Sequence, residues 1–234
     1  MTEVVVNKPV FPKTSCSVKP FFDFPITVIQ SPDMPSASKY SDRQFTWAEV
    51  QDIIKYNELE VFARLEPETE KYHAFKKLLK EQNTTVFKHL VVNSLKWRTA
   101  EQVRSLKDAE ISVPASGDPL FTNASDLKIV KNDFPYYFED DVLHLCVWSK
   151  RRIDSDPNSA LGDLSSEMRE LIEKYVQKTF VDWLQIPREN LVWFRNWEAL
   201  QSVKEISHLH VVVKGMTSEQ LEKVLGGPGV PLTE

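Results

Sequence analysis

The chain is poor in cysteine: Cys16 and Cys146 are the two thiols in 234 residues. Two cysteines build no disulfide framework, so a small stapled secreted fold is excluded and a reducing compartment fits. Long hydrophobic runs are also missing. No apolar stretch reaches the roughly 18 residues of a membrane span. The N-terminus lacks a basic segment followed by an apolar core, the mark of a secretory signal. Positive charge is not in surplus either: 29 Lys and Arg stand against 34 Asp and Glu, a net charge of −5. Such a balance gives no general pull toward nucleic acid or an anionic bilayer. No internal repeat is visible. The expectation is a cytoplasmic or nuclear globular protein with neither nucleic acid nor membrane as partner.

What is present suffices for a core, since 41% of residues are hydrophobic, enough for one large domain or two small ones. Residues 1–44 are rich in Pro and Ser and read as a loosely ordered tail, with an aromatic patch at Phe21-Phe22-Asp23-Phe24. At Phe45 the pattern changes. Thr46 and Glu49 form a capping box, and Phe45 with Val50 a hydrophobic staple, so a helix is predicted from Trp47 to about Asn57. Pro67 opens a second helix with Tyr72, Phe75, Leu78 and Leu79 as its stripe. A third starts near Thr85 and buries Val86, Leu90 and Val91. His73 and His89 read as surface residues. Residues 45–98 are thus a helical module, expected to pack on the sheet. Residues 99–227 read as an α+β core and 228–234 as a C-terminal tail. Within the core, Lys128–Val130 reads as a short strand, and Tyr136–Phe138 and Val142–Trp148 as strands around an acidic turn. The longest apolar periodicity predicts a helix from about Ser165 to Leu184, and Leu191–Arg195 a further strand. Thr217 and Gln220 cap a short last helix.

The core is organised around Ser207-His208-Leu209-His210-Val211-Val212-Val213. Its β-branched run and alternation say strand. Residues two apart share a face, so His208, His210 and Val212 point one way and Leu209, Val211 and Val213 the other, into a core. Paired imidazoles on one face suit a metal, a phosphate, or a nucleophile and its partner. Partly exposed histidines on a solvated sheet face are the plain alternative. In the strand of Val142–Trp148, His144, Cys146 and Trp148 share a face. The Lys150-Arg151-Arg152 run at its end reads either as a phosphate contact or as a solvated basic turn.

Gln201-Ser202-Val203, His208, His210 and Gly215 resemble the signature of the histidine-triad (HIT) superfamily. In that resemblance His210 takes the place of the nucleophile and His208 that of the first triad histidine. Val212 replaces the third histidine, two extra residues separate Val203 from His208, and Trp197-Glu198-Ala199-Leu200 replaces a Gly-rich loop. From about Phe45 onward the chain also resembles the fungal N-acetylglucosamine-induced protein 1 family. Thr46-Trp47-Ala48-Glu49-Val50, His144-Leu145-Cys146-Val147-Trp148-Ser149-Lys150 and His208-Leu209-His210-Val211 carry that likeness. The HIT resemblance implies an α+β fold: a HIT-like antiparallel sheet with a packed long helix, preceded here by the helical module. It implies a nucleoside phosphate or nucleotide sugar as ligand, with His210 as nucleophile of a nucleotidyl hydrolase or transferase. His208, Ser202, Gln201, Lys150 and Arg151 would hold phosphate, and Asn196 would orient the loop or the ribose. No cofactor is implied. The alternatives are a non-catalytic binding or regulatory protein of the fungal N-acetylglucosamine response, and a metal site at His208 and His210 with His144 or Cys146 as third ligand.

Overall fold

The computed structural model describes residues 40–233. Most of the expected N-terminal tail, including its aromatic patch, lies outside the described residues. The last part of that segment is structured. Strand β1 (Tyr40–Ser41) pairs in parallel with β2 (Arg64–Leu65). Between them runs α1 (Trp47–Lys55), opened by the capping box: Glu49 N–H donates to Thr46 Oγ1 at 3.4 Å, and Thr46 N–H donates to the Glu49 carboxylate at 2.9 Å. Arg43 adds its guanidinium to the same carboxylate and, with Thr46, lowers its pKa to about 2. Helix α2 (Glu66–Glu81) follows with Pro67 in its first turn. Leu79 of its stripe is buried, but Leu78 is exposed. Helix α3 (Val86–His89) starts on the Thr85 cap and widens into a π-helical turn over Leu90–Ser94. Phe87, not Val86, is the buried residue of its first turn. A short α4 (Ala100–Val103) ends this half.

The second half is a four-stranded antiparallel sheet in the order β3-β4-β6-β5. Its strands are β3 (Leu127–Lys131), β4 (Val142–Ser149), β5 (Leu191–Phe194) and β6 (Ser207–Lys214). The fold is therefore α+β, with the order strand, strand, helix, strand, strand. The first strand is β3, however. The run of Tyr136–Phe138 is not a strand: it wraps around the sheet end, and Phe138 makes a lone bridge to Phe45. Between β4 and β5 lies α5 (Ser166–Val176), which continues as a π-helix over Gln177–Trp183. A last helix, α6 (Ser218–Val224), carries the Thr217 cap.

Both faces of the sheet are covered. Leu145, Val147, Leu209, Val211 and Val213 pack against Ile172, Tyr175, Val176 and Phe180 of the long helix. On the other face Val212 and Phe194 join Phe45, Val50, Ile53 and Phe62. Beside them Cys146 and Trp148 join Phe87, Leu90, Val91 and Leu95. Among the described residues, the helical module and the sheet thus share two of three apolar clusters. The expected C-terminal tail is docked as well. Tyr175 Oη donates to Pro228 O at 2.6 Å, and Leu232 N–H donates to Phe121 O at 2.8 Å. Among the described residues no helix is long and apolar enough to cross a membrane.

Candidate functional site

The β4–β6 register brings the polar side chains together. Cys146 faces His210, Trp148 faces His208, and His144 faces Val212 across the ladder. Alternation puts all six on the face away from the long helix. The plain alternative of a solvated face is corrected here. His208 and His210 are 7% and 6% exposed, and His144 is 2% exposed. The N-terminal helices and the aromatic run of Tyr136–Phe138 roof them over.

The imidazoles are held by specific contacts. His210 Nδ1 lies 2.9 Å from His144 Nε2 and 3.8 Å from Cys146 Sγ. Its other nitrogen, Nε2, lies 3.2 Å from Asn196 Nδ2, which also reaches the Tyr136 hydroxyl at 3.3 Å. The Phe194 ring stacks on His210 at 4.7 Å, and Trp148 stacks on His208 at 4.2 Å. Burial penalises the charged form. It lowers the pKa of His208 to about 4, lowers that of His144 to about 3, and pushes that of His210 well down. The positive Arg64 and the neighbouring imidazoles add to the shift at His210. Burial raises the Cys146 thiol to about 12. At neutral pH the cluster is uncharged.

A cavity of about 190 Å³ opens beside it. His208, His210, Cys146, Trp148, Asn196, Ser202, Tyr136, Arg64 and His89 are among its walls, with Tyr72, Phe75 and Phe134 toward the helical side. Three buried polar atoms in these walls have no partner: Trp148 Nε1, Asn196 Oδ1 and His208 Nδ1. Arg64 is fixed at the cavity by its Nε, which donates to Phe134 O at 2.8 Å, and by the faces of Tyr72 and Tyr136 at 5.0 and 5.4 Å.

The structure thus gathers His208, His210, Asn196 and Ser202 at one cavity, with Cys146 beside them. Lys150 and Arg151 do not line it. Lys150 Nζ sits over the Trp97 ring at 5.3 Å instead. Gln201 is likewise absent from the walls; its Nε2 donates to Asn196 O at 2.7 Å and braces the loop from behind. His89, read as a surface residue, is a wall residue with its ring edge-on to Phe75 at 5.1 Å. Arg64, Tyr72 and Tyr136 went unnoticed as wall residues. Nothing local marks Arg64, which stands in a linker before a helix and reaches the cavity through the β1–β2 pairing. Trp148 was visible in principle, since it shares a strand face with His144 and Cys146.

A family model described as a protein of unknown function (DUF3605) matches residues 46–214. The N-acetylglucosamine-induced protein 1 of Candida albicans is 42% identical over 214 residues, covering 89% of this chain and 84% of that protein. An uncharacterised protein of Saccharomyces cerevisiae is 28% identical over 168 residues, covering 71% of this chain and 77% of that protein. Among solved structures, the crystal structure of HTC1 superposes with a TM-score of 0.61 at 25% identity, over 81% of this chain and 100% of that one.

Proposed function

The chain belongs to the DUF3605 family, and we propose that it is a HIT-like binding protein whose cavity takes a nucleoside phosphate or nucleotide sugar. One observation carries the reading: Trp148 Nε1, Asn196 Oδ1 and His208 Nδ1 are all buried without a partner, in walls of the same cavity. Each such orphan costs about 1–3 kcal/mol, a cost that a polar ligand removes. Arg64 sets the ligand's charge. Its Nε is already engaged, and among the described residues no acceptor takes its two terminal nitrogens, which leaves the fork free for phosphate oxygens. Tyr72, Phe75 and Trp148 supply aromatic wall for a base. Binding is favoured over turnover because both ring nitrogens of His210 are occupied, one by His144 and one by Asn196. Ser202, Asn196 and His208 remain the wall residues for the ligand, while Lys150, Arg151 and Gln201 act outside it.

A second reading keeps His210 as the nucleophile of a nucleotidyl hydrolase or transferase, and one observation favours it. Burial holds His208 and His210 neutral, the form in which an imidazole attacks phosphorus. Both readings are tested by thermal shift and calorimetry against nucleoside monophosphates, nucleotide sugars and N-acetylglucosamine phosphates. The last class enters because the Candida relative is named for induction by N-acetylglucosamine, and a regulatory role in that response belongs to the binding reading. A ligand at a hundred times its Kd stabilises by about 2.7 kcal/mol, and Arg64→Met should abolish the shift. No shift with any phosphorylated ligand removes both readings. Turnover of a nucleoside phosphoramidate that is lost in His210→Ala selects the second.

A further inference from the structure

We propose that His144, Cys146 and His210 form a three-ligand site for a thiophilic transition-metal cation, Zn²⁺ by its donor set, with the fourth position open to the cavity. Their ligand atoms all lie within 4.8 Å of one another, and all three residues are buried. The arrangement follows from the strands. His144 and Cys146 are two apart on β4, and Cys146 faces His210 on β6. No flexible loop is needed to bring them together.

The spacings suit a tetrahedral ion. Zinc bonds of about 2.0–2.1 Å to imidazole and about 2.3 Å to thiolate put two nitrogens about 3.3 Å apart, and nitrogen and sulfur about 3.6 Å apart. Here the nitrogens of His144 and His210 are 2.9 Å apart and the His210 nitrogen is 3.8 Å from Cys146 Sγ. These two pairs need shifts of a few tenths of an ångström, and the third, His144 to Cys146 Sγ, lies within 4.8 Å and must close to about 3.6 Å. The ligand protonation balances: His144 and His210 are neutral, and the Cys146 thiol releases one proton to solvent as the metal–sulfur bond forms.

The surroundings of His210 can accommodate the metal-bound tautomer. If His210 binds metal through Nδ1, its Nε2 must carry the proton and needs an acceptor, the usual outer support of a metal-bound imidazole. The neighbour of Nε2 is the Asn196 amide, whose oxygen is buried and without a partner. Turning that amide by half a rotation exchanges its nitrogen and oxygen, which resemble each other in shape. Asn196 Oδ1 then accepts from His210 Nε2–H and from the Tyr136 hydroxyl, the two groups now next to its nitrogen. The Asn196 nitrogen then takes the buried position that its oxygen leaves, facing the cavity. Cys146 and His210 also line the cavity, so a water or a ligand atom completes the shell from there. His208 is a wall of that cavity and not a member of the cluster, a different grouping from the His208 and His210 pair that the strand suggested. The inference does not rest on the nucleotide reading, since its donors are the chain's own.

The test uses the full chain carrying Cys16→Ala, so that Cys146 is the sole thiol. Zn²⁺ is titrated against a chromophoric chelator in ligand-free buffer, and Co²⁺ is followed by absorption. The expected result is one equivalent bound, a rise in Tm with Zn²⁺, and a thiolate-to-cobalt charge-transfer band with tetrahedral visible transitions. Cys146→Ala should remove the band. Asn196→Ala should keep the band and weaken affinity on the order of 10–100-fold, as loss of an outer-shell partner does. A cobalt spectrum without the thiolate band overturns the proposal, as does equal zinc affinity in Cys146→Ala and its parent. If Cys146→Ala fails to fold, the parent's cobalt spectrum decides alone.

Discussion

His208 sits against Trp148 and His210 with its pKa lowered to about 4, and His144 is lowered to about 3. Both start from an ordinary value of 6.5. A histidine whose folded pKa lies below its unfolded one takes up protons more readily when unfolded. Stability is then complete above about 6.5 and falls as pH drops toward 4 and then 3. The urea midpoint should therefore decline across that window, and His208→Gln should make the decline shallower; an unchanged slope would show that His208 is not buried neutral. Truncation of His210 is no longer a surface change. It removes one contact each from His144 and Asn196, which keep Asn132 and the Tyr136 hydroxyl, and the ring stacked on Phe194, so His210→Ala should cost about 1–3 kcal/mol in all. The grouping of His208 and His210 on one face was legible from alternation alone. Their burial was not, because a histidine reads as polar in a pattern although a neighbouring imidazole or amide can satisfy it inside a core. Arg64 was not legible at all, since its place at the cavity depends on contacts made far along the chain.

At the level of elements, the capping boxes at Thr46 and Thr217 and the pairing of β5 with β6 follow from local chemistry, and the structure has them. Two readings failed for physical reasons. Aromatic runs favour strands because they fit a pleated half-buried surface. Tyr136 and Phe138 instead find that surface in Phe62, at 5.0 and 5.5 Å, without joining the ladder. The long helix keeps an apolar stripe over its whole length, so periodicity did not register the change to π geometry at Gln177. The central strand is the element under greatest constraint: Leu209 is 0% exposed and lies in the cluster beneath α5, whereas Leu161, on a loop, is 52% exposed. Chemical denaturation should show Leu209→Ala losing about 2–5 kcal/mol and Leu161→Ala staying within about 0.5 kcal/mol. Similar losses at the two positions would contradict the placement of β6 between two covered faces.

Across the whole molecule, the helical module packs on the sheet closely enough to share its core: Phe45, Val50 and Phe62 lie in one cluster with Phe194 and Val212. A fragment beginning at residue 99 would expose the sheet face that carries Val212, Cys146 and Trp148. It should bind a hydrophobic dye and lack a cooperative thermal transition, whereas a sharp transition would show that the α+β half stands alone. Amphipathic stripes reveal that an element has a buried side but not which residues cover it, so the members of that shared cluster were not legible in sequence. The ladder also has a kinetic side. His210 contacts His144 and Cys146 at sequence separations of 66 and 64. Closing so long a loop must precede any reward from the contacts it allows, which places such pairings late and slow in folding. A nascent chain therefore has no histidine cluster to offer until its two central strands have zipped, and in acid, between about pH 4 and 6.5, the release of protons by the imidazoles marks that event in time.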